Sequence, residues 1–244
     1  DVDRAVKLGV SRIYFEDDNL FFNKKRLIKL APYLKRENLS YSLVNGANLR
    51  FLVEKTNGHY EPDHEFINTL AWFGLKELTL PFETKSQEMM NKYATGKFDP
   101  EEMDPIGIVK SLKKSGIRAG SNFLIGFRDE SWESILETKN FAKNLISEGL
   151  DQVGFHIPVP YPGTKDFEFQ MSKSDIRKDF NENLLKYADN MHVRGTPMFD
   201  TKVPKETLTS AVKDFWLELN SEEYTTSTQS INLSKNEIDI PYEH

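Results

Sequence analysis

The sequence contains no cysteine among its 244 residues. This excludes disulfides, zinc–thiolate sites, cysteine nucleophiles and iron–sulfur ligation by the chain itself. The sequence also lacks a run of about 18 apolar residues, the length that a membrane-spanning helix needs, and no basic and apolar leader opens it. We therefore expect a cytoplasmic protein with no membrane partner.

Positive charge is scarcer than negative charge. The 32 Lys and Arg residues stand against 38 Asp and Glu residues, which gives a formal net charge of -6. Nucleic-acid binding usually needs a basic surface, so we expect no nucleic-acid partner. The five histidines are scattered, and the closest two, His59 and His64, lack metal-ligand spacing. We therefore expect no metal site on this chain.

The sequence does contain a repeated alternation of strand-like and helix-like segments. Five apolar runs, which begin at Arg12, Tyr41, Glu77, Asn122 and Gln152, each end in a polar segment rich in Asp, Glu, Asn, Gly or Pro. Helical spacing follows in 24–37, 63–73, 106–114 and 131–148. Strands separated by helices are typical of parallel strands joined by right-handed crossovers.

This alternation predicts an α/β fold, a partial (β/α) barrel of the TIM type with parallel strands. A doubly wound sheet is the alternative, and it is disfavoured because no Gly-rich loop follows the first strand. We predict a barrel-like core over 1–170, a helical region over 171–220 with helices near 172–191 and 204–220, and a polar tail over 221–244. Asp1 to Gly9 has the pattern of a helix that leads into a strand, so we expect the sequence to begin in mid-domain.

The polar segments are the candidate site, because ligands collect at the carboxyl ends of parallel strands. Asp17 and Asp18 follow the first strand, where they form either a solvated turn or a site for a cation. Arg50 is either a surface residue or the partner of a carboxylate. Glu83 is either a surface residue or an acceptor for ribose hydroxyls.

Two later strand ends leave the same choice between structure and function. Gly126 permits a positive φ or a close backbone approach, although packing alone explains it equally well. His156 lies at a strand end, where a rim or core histidine is the simpler interpretation. The segment Pro158 to Thr164 is a stiff turn that cannot continue a sheet.

Three of these segments, taken in order, resemble the radical S-adenosylmethionine enzymes, in particular the branch with an upstream cobalamin-binding domain. They are Phe15 to Asn19, Asn122 to Gly126 with the acidic helix start from Asp129, and Pro158 to Thr164. The resemblance covers about residues 1–170. It implies that the chain lacks the first strand of the barrel and the three-cysteine motif that follows that strand.

The resemblance also implies roles for individual residues toward S-adenosylmethionine. Asp17 and Asp18 would face its amino group, Arg50 its carboxylate and Glu83 its ribose. Ile125 and Gly126 would border the adenine, with His156 and Ile157 nearby on the next strand end. No catalytic residue is predicted.

The implied function is that of a fragment of a radical S-adenosylmethionine enzyme. With a [4Fe-4S] cluster held by the parent protein, the enzyme would generate a 5'-deoxyadenosyl radical for methyl transfer or rearrangement, while this chain alone would be inactive. The upstream domain of the parent would be its partner, and the use of cobalamin and the identity of the substrate stay open. Two alternatives remain: a cysteine-free barrel that serves as a binding or scaffold module, and a hydrolase that uses Glu83 with Asp17 or Asp18.

Overall fold

The computed structural model describes residues 1–17, 19–43, 45–56, 58–93, 97–185, 187 and 200–221. Its α-helices are α1 (Val2–Lys7), α2 (Lys24–Leu34), α3 (His64–Phe73), α4 (Gln87–Tyr93), α5 (Pro105–Lys114), α6 (Trp132–Glu148), α7 (Lys165–Ser172), α8 (Ser174–Glu182) and α9 (Lys205–Leu219). Its strands are β1 (Arg12–Phe15), β2 (Ser40–Leu43), β3 (Val53–Thr56), β4 (His59–Pro62), β5 (Leu75–Glu83), β6 (Arg118–Leu124) and β7 (Gln152–His156). Within these ranges, every helix is too short or too polar to cross a membrane.

The main sheet has five strands in the order β1-β2-β5-β6-β7. The pairs β1–β2, β2–β5 and β5–β6 are parallel, and a helix lies between the two strands of each pair along the chain. The predicted α/β fold with parallel strands is therefore confirmed. In the described residues β1 and β7 do not pair with each other, so the barrel is not closed.

The other two strands form an antiparallel hairpin that the periodicity did not predict. Strands β3 and β4 pair from Val53↔Pro62 to Thr56↔His59. The Asn-Gly pair at 57–58 is a strong hairpin signal, and Gly58 has the φ of 89° that such a turn requires. The prediction missed the hairpin because it searched for strands that are followed by helices.

The predicted helices are confirmed with small changes at their ends. Helix α2 ends at Leu34 rather than at residue 37. Pro32 lies in its last turn and has no backbone N–H to donate there. The helix predicted over 172–191 is confirmed in part, because α8 (Ser174–Glu182) lies within that range. Its bounds differ: Lys173 is extended (ψ 122°) and separates α8 from α7, and α8 ends at Glu182. Residues 186 and 188–199 lie outside the described residues, as does the predicted tail beyond residue 221.

The chain divides into two compact units. Unit 1 contains residues 1–123 and 140–154, and unit 2 contains residues 124–139 and 155–244. The boundary passes through β6 and β7, so both strands contribute to each unit. The predicted domain division at residue 170 stays a prediction.

The core of unit 1 lies on one face of the sheet. Along β5, Leu78, Leu80 and Phe82 are buried and alternate with the more polar Glu77 and Thr79. Four aromatic rings pack together on the buried face, with centroids 5.0 to 6.2 Å apart: Phe82, Phe98, Phe123 and Phe141. The opposite face of the same strands carries polar side chains.

Candidate functional site

The polar segments after β1 and β2 meet within unit 1. The Asn45 side-chain amide donates a hydrogen bond to the carbonyl of Glu16 over 2.8 Å. The Ala47 N–H donates to the carbonyl of Thr79 in β5 over 2.8 Å, so the segment after β2 contacts both neighbouring strands or their ends. These bonds bring two of the predicted strand ends together and join the second to β5.

Glu83, the last residue of β5, has an unusual backbone conformation. Its φ of 61° lies in the left-handed region, which is uncommon for a residue other than glycine. The Thr84 N–H donates to the Phe82 carbonyl over 2.8 Å and closes a tight turn around Glu83. Non-glycine residues in this region often mark functional sites, because the surrounding structure must hold the strain.

The side chain of Glu83 is largely buried next to one cation. It is 14% exposed, and its Oε1 lies 3.4 Å from the Nζ of Lys97. Burial raises the pKa of the Glu83 carboxyl, and the charge and hydrogen bond of Lys97 partly oppose this increase. A carboxylate held in this way can accept hydrogen bonds from hydroxyl groups.

Arg50 lies in a 3₁₀-helix (Leu49–Phe51) whose start is capped by the Asn48 side chain. Its guanidinium Nη2 is 4.0 Å from Oδ2 of Asp99, and the Leu49 N–H donates to the carbonyl of Lys97 over 3.1 Å. Residues 97–99 therefore join Arg50 to Glu83. The sequence prediction missed Lys97 and Asp99, which follow α4 rather than a strand and so carry no strand-end signal.

The acidic segment after β1 is described only in part. Asp17 is exposed directly after the strand, as expected for a residue at its carboxyl end. Asp18 lies outside the described residues. The predicted contact of both aspartates with an amino group stays a prediction.

In unit 2, the predicted residues at the carboxyl ends of β6 and β7 are brought together. The Ile125 N–H donates to the carbonyl of His156 over 3.0 Å, which extends the pairing of these strands. Ile125 and Ile157 are buried, whereas His156 is partly exposed. An apolar strand end of this kind is suited to one face of a planar ring.

Gly126 follows with a φ of 80°, which favours glycine. A Cβ atom at this position would lie 2.8 Å from Cδ1 of Leu208 in α9, well inside van der Waals contact. The close approach of α9 therefore explains this glycine without a ligand. Its role beside adenine stays a prediction.

Glu130 fixes the turn that contains Gly126. Its Oε2 accepts hydrogen bonds from the N–H groups of Gly126 (2.8 Å) and Phe127 (3.2 Å), and its Oε1 accepts from the Ser134 hydroxyl (2.9 Å). The residue is 1% exposed. Burial raises the pKa of this carboxyl, and these three hydrogen bonds oppose the increase. The sequence indicated only that an acid stood near the start of a helix.

The segment from Pro158 to Thr164 has a structural role in unit 2. Gly163 has a φ of 89°, and the Thr164 hydroxyl caps α7 by accepting the Phe167 N–H over 3.3 Å. The Thr164 hydroxyl also donates to the carbonyl of Tyr161 over 2.7 Å. Much of this sequence pattern therefore encodes a rigid turn and a helix start.

The chain has residues suited to S-adenosylmethionine but lacks the ligands of an iron–sulfur cluster. Thiolates for a [4Fe-4S] cluster are absent, because the sequence has no cysteine. Within the described ranges, no group of three His, Asp or Glu side chains is arranged to hold a metal ion. Unit 1 does offer a largely buried carboxylate and a guanidinium at its strand ends, and unit 2 offers an apolar strand end. These groups match the ribose, carboxylate and adenine of S-adenosylmethionine in chemical type.

Two curated proteins similar in sequence to this chain are methyltransferases. No protein-family model matches the sequence. An uncharacterised methyltransferase of Pyrococcus horikoshii is 27% identical over 209 residues, which are 86% of this chain and 41% of that protein. The bacteriochlorophyllide d C-8(2)-methyltransferase of Chlorobaculum tepidum is 27% identical over 150 residues, which are 61% of this chain and 30% of that protein. The chain thus spans less than half the length of these curated relatives.

A solved structure gives the fold. The radical S-adenosylmethionine methyltransferase TsrM of Kitasatospora setae, whose structure has cobalamin and a [4Fe-4S] cluster bound, superposes with a TM-score of 0.50 at 14% identity. The match covers 66% of this chain and 30% of TsrM. The resemblance predicted from the strand-end segments is therefore confirmed at the level of the fold, which this chain shares with a radical S-adenosylmethionine enzyme.

Proposed function

We propose that this chain is the S-adenosylmethionine-binding part of a radical S-adenosylmethionine methyltransferase. The observation that carries the proposal is Glu83, a largely buried carboxylate held in a strained turn at the carboxyl end of β5. Arg50 is joined to it through residues 97–99. The curated relatives, both called methyltransferases, support methyl transfer over rearrangement.

Within this proposal the groups of unit 1 bind the polar parts of the cofactor. Glu83 would accept hydrogen bonds from the ribose hydroxyls, and Arg50 would pair with the carboxylate of S-adenosylmethionine. For Ile125, Gly126, His156 and Ile157 of unit 2, a role beside adenine stays a prediction of the resemblance. When bound, S-adenosylmethionine would supply the methyl group and the radical source. The cluster that reduces it would need cysteines from outside this chain, and cobalamin would be held by an upstream domain.

A titration with S-adenosylmethionine tests this proposal. Glu83→Gln removes the charge but preserves the shape of the side chain, so we expect the dissociation constant to rise about tenfold. Glu88→Gln, which changes an exposed glutamate on α4, is the matched control and should leave the constant unchanged. Isothermal titration calorimetry provides the measurement. Wild-type protein with no affinity for S-adenosylmethionine would instead favour the scaffold hypothesis.

The gene provides a second test. The nucleotide sequence just upstream of the Asp1 codon should encode a motif of three closely spaced cysteines, since the chain itself can hold no cluster. An upstream reading frame without such a motif would contradict the radical mechanism. It would leave open the binding of S-adenosylmethionine, which the titration decides separately.

A further inference from the structure

The sheet of unit 1 has a polar face that the proposed site leaves unused. Neighbouring residues in a parallel sheet project to the same side, and the register pairs Tyr14 with Ser42 and Ser42 with Glu77. On β6, Gly120 is the partner of Thr79, and a Cβ atom on it would lie 2.8 Å from the Gln152 side chain. We define the polar sheet face as the side chains of Arg12, Tyr14, Ser42, Glu77, Thr79, Arg118 and Gln152.

Three of these side chains form an arginine–glutamate cluster: Arg12, Glu77 and Arg118. Oε2 of Glu77 lies 3.2 Å from Nη2 of Arg118 and 3.8 Å from Nη1 of Arg12. The Arg12 side chain reaches Glu77 across β2, where the small Ser40 and Ser42 leave room for it. The arginine side chains are 41% and 60% exposed, so both guanidinium groups are accessible.

The charges of this cluster do not balance. Two guanidinium groups share one carboxylate, and Glu77 is the carboxylate with which either arginine forms an ion pair in the described part of the chain. One further negative charge would neutralise the cluster. A guanidinium group presents donors in a planar fork that suits a carboxylate, and a monoanion matches the missing charge better than a phosphate dianion does.

A second, independent observation lies beside the cluster. Ser42 is fully buried, and its hydroxyl oxygen has no hydrogen-bond partner among the described residues. A buried hydroxyl without a partner is unfavourable, and such groups usually meet a ligand or a water molecule. Its neighbours on this face, Tyr14 and Arg12, have exposed side chains.

The position of the cluster excludes the carboxylate of S-adenosylmethionine as its ligand. Arg12 and Arg118 are the first residues of their strands, whereas Glu83 is the last residue of β5. Glu77 and Glu83 are six residues apart on that strand, which corresponds to about 20 Å. A molecule that spans this distance beside S-adenosylmethionine must be elongated. Between its ends it would meet the hydrogen-bonding groups of Thr79 and Gln152.

We infer that the arginine–glutamate cluster binds a carboxylate at the far end of an elongated organic substrate. This inference rests on the proposed function, because it takes the bound molecule to be the substrate of that reaction. Arg12 and Arg118 act as binding residues, and Glu77 is the carboxylate that competes with the ligand for their guanidinium groups. Thr79 and Gln152 line the path toward the strand ends, and Tyr14 lies level with Glu77 at the cluster.

A small carboxylate that represents only the far end of the substrate tests the cluster directly. Benzoate carries one carboxylate, and benzamide is its neutral counterpart of the same shape. We expect saturable binding of benzoate to this chain with a dissociation constant of about 10 mM, followed through the arginine side-chain N–H signals by NMR at constant ionic strength. Benzamide should shift these signals little. Binding of benzamide equal to that of benzoate, no saturable binding of benzoate, or tighter binding of phosphate than of benzoate would each overturn the inference.

Substitutions in the cluster should change the affinity for benzoate in opposite directions, which a general loss of structure cannot do. Arg118→Gln and Arg12→Gln should each weaken benzoate binding about tenfold, because each removes a charged donor. Glu77→Gln should tighten binding, because it removes the competing carboxylate. Arg36→Gln, which breaks the separate Arg36–Asp3 pair (2.6 Å), is the control and should have no effect. Equal affinities in wild type, Arg118→Gln and Glu77→Gln would refute the assignment.

Parallel titrations separate this inference from the proposed function. S-adenosylmethionine should bind Arg118→Gln as it binds wild type, and benzoate should bind Glu83→Gln as it binds wild type. If wild type binds benzoate but does not bind S-adenosylmethionine, the proposed function is refuted and the carboxylate site stands. If wild type binds S-adenosylmethionine but does not bind benzoate, only the carboxylate site is refuted.

Discussion

Glu130 shows how a single side chain can determine the geometry of a strand end. Its carboxylate accepts two backbone N–H groups from the turn that it follows, and thus holds Gly126 and Phe127 in place. Glu130 needs no contact with a ligand for this task. It is therefore a positioning residue for the apolar strand end of unit 2.

Two substitutions of Glu130 separate its shape from its charge. Glu130→Gln preserves an oxygen for both backbone N–H groups and an amide for the Ser134 hydroxyl, so we expect a change below about 1 kcal/mol in the free energy of unfolding. Glu130→Ala removes all three partners and opens a cavity, so we expect a loss of about 2–4 kcal/mol. Denaturation with urea measures both. A Gln variant as unstable as the Ala variant would contradict the assigned hydrogen bonds.

Wild type and Glu130→Gln should also differ in how their free energy of unfolding depends on pH. Because the folded-state pKa of Glu130 is raised above its ordinary 4.5, the carboxyl favours the folded state most at low pH. This contribution is complete below the ordinary pKa and is lost as the pH rises through the raised value. The stability of wild type relative to Glu130→Gln should therefore fall as the pH increases above about 4.5.

At the scale of the elements, Asp63 links two helices of unit 1. Its Oδ1 caps α3 by accepting the Phe66 N–H over 2.9 Å, and its Oδ2 lies 2.7 Å from Nζ of Lys24, the first residue of α2. The Lys24 ammonium group also lies 4.9 Å from the centre of the Phe66 ring. A single carboxylate thus sets both the start of α3 and its contact with α2.

Asp63→Asn and Asp63→Ala separate these two roles. Asn retains the capping oxygen and loses only the ion pair, so we expect a loss below about 1 kcal/mol in unfolding free energy. Ala loses the cap as well, so we expect about 1 kcal/mol more. Asp104, which caps α5 over 2.9 Å and forms no ion pair in the described part of the chain, is the control. Its Asn variant should match wild type in thermal or urea denaturation, and an equal loss at both sites would argue against a contribution from Lys24.

At the scale of the whole molecule, one face of the sheet in unit 1 stabilises the fold and the other face carries the proposed carboxylate site. One face holds the buried aromatic cluster, and the other carries the arginine–glutamate cluster. Strand β5 connects the core to the candidate site, because Phe82 points into the core and the next residue, Glu83, lies at that site. A stable core can therefore hold the strained turn at its edge.

This division predicts different outcomes for two phenylalanines. Phe82 is fully buried among three other rings, so Phe82→Ala should reduce the free energy of unfolding by about 3–5 kcal/mol. Phe22 is 76% exposed, so Phe22→Ala should cost less than about 1 kcal/mol. Urea denaturation compares the two. A small loss for Phe82→Ala would show that the aromatic cluster is not the centre of the core.

The sequence by itself determined the alternation of strands and helices, and hence the parallel α/β sheet. Apolar periodicity and end signals such as Gly74 are local properties, and they place α3, α5 and α6 within about one residue of the structure. The strand-end rule likewise predicted Glu83 and Arg50 as site residues, because the carboxyl ends of parallel strands meet at one edge, and their roles toward a ligand stay predictions. The resemblance carried by the strand-end segments identified the fold.

Only the tertiary structure decided which residues contact one another across long stretches of chain. Lys97 pairs with Glu83 and Arg118 pairs with Glu77, and no local pattern specifies partners that lie 14 and 41 residues apart. The same holds for Gly126, whose requirement for glycine comes partly from Leu208 on α9. Sheet register and helix packing set these contacts. Periodicity in the sequence shows that a residue lies on a face, whereas packing decides what that face meets.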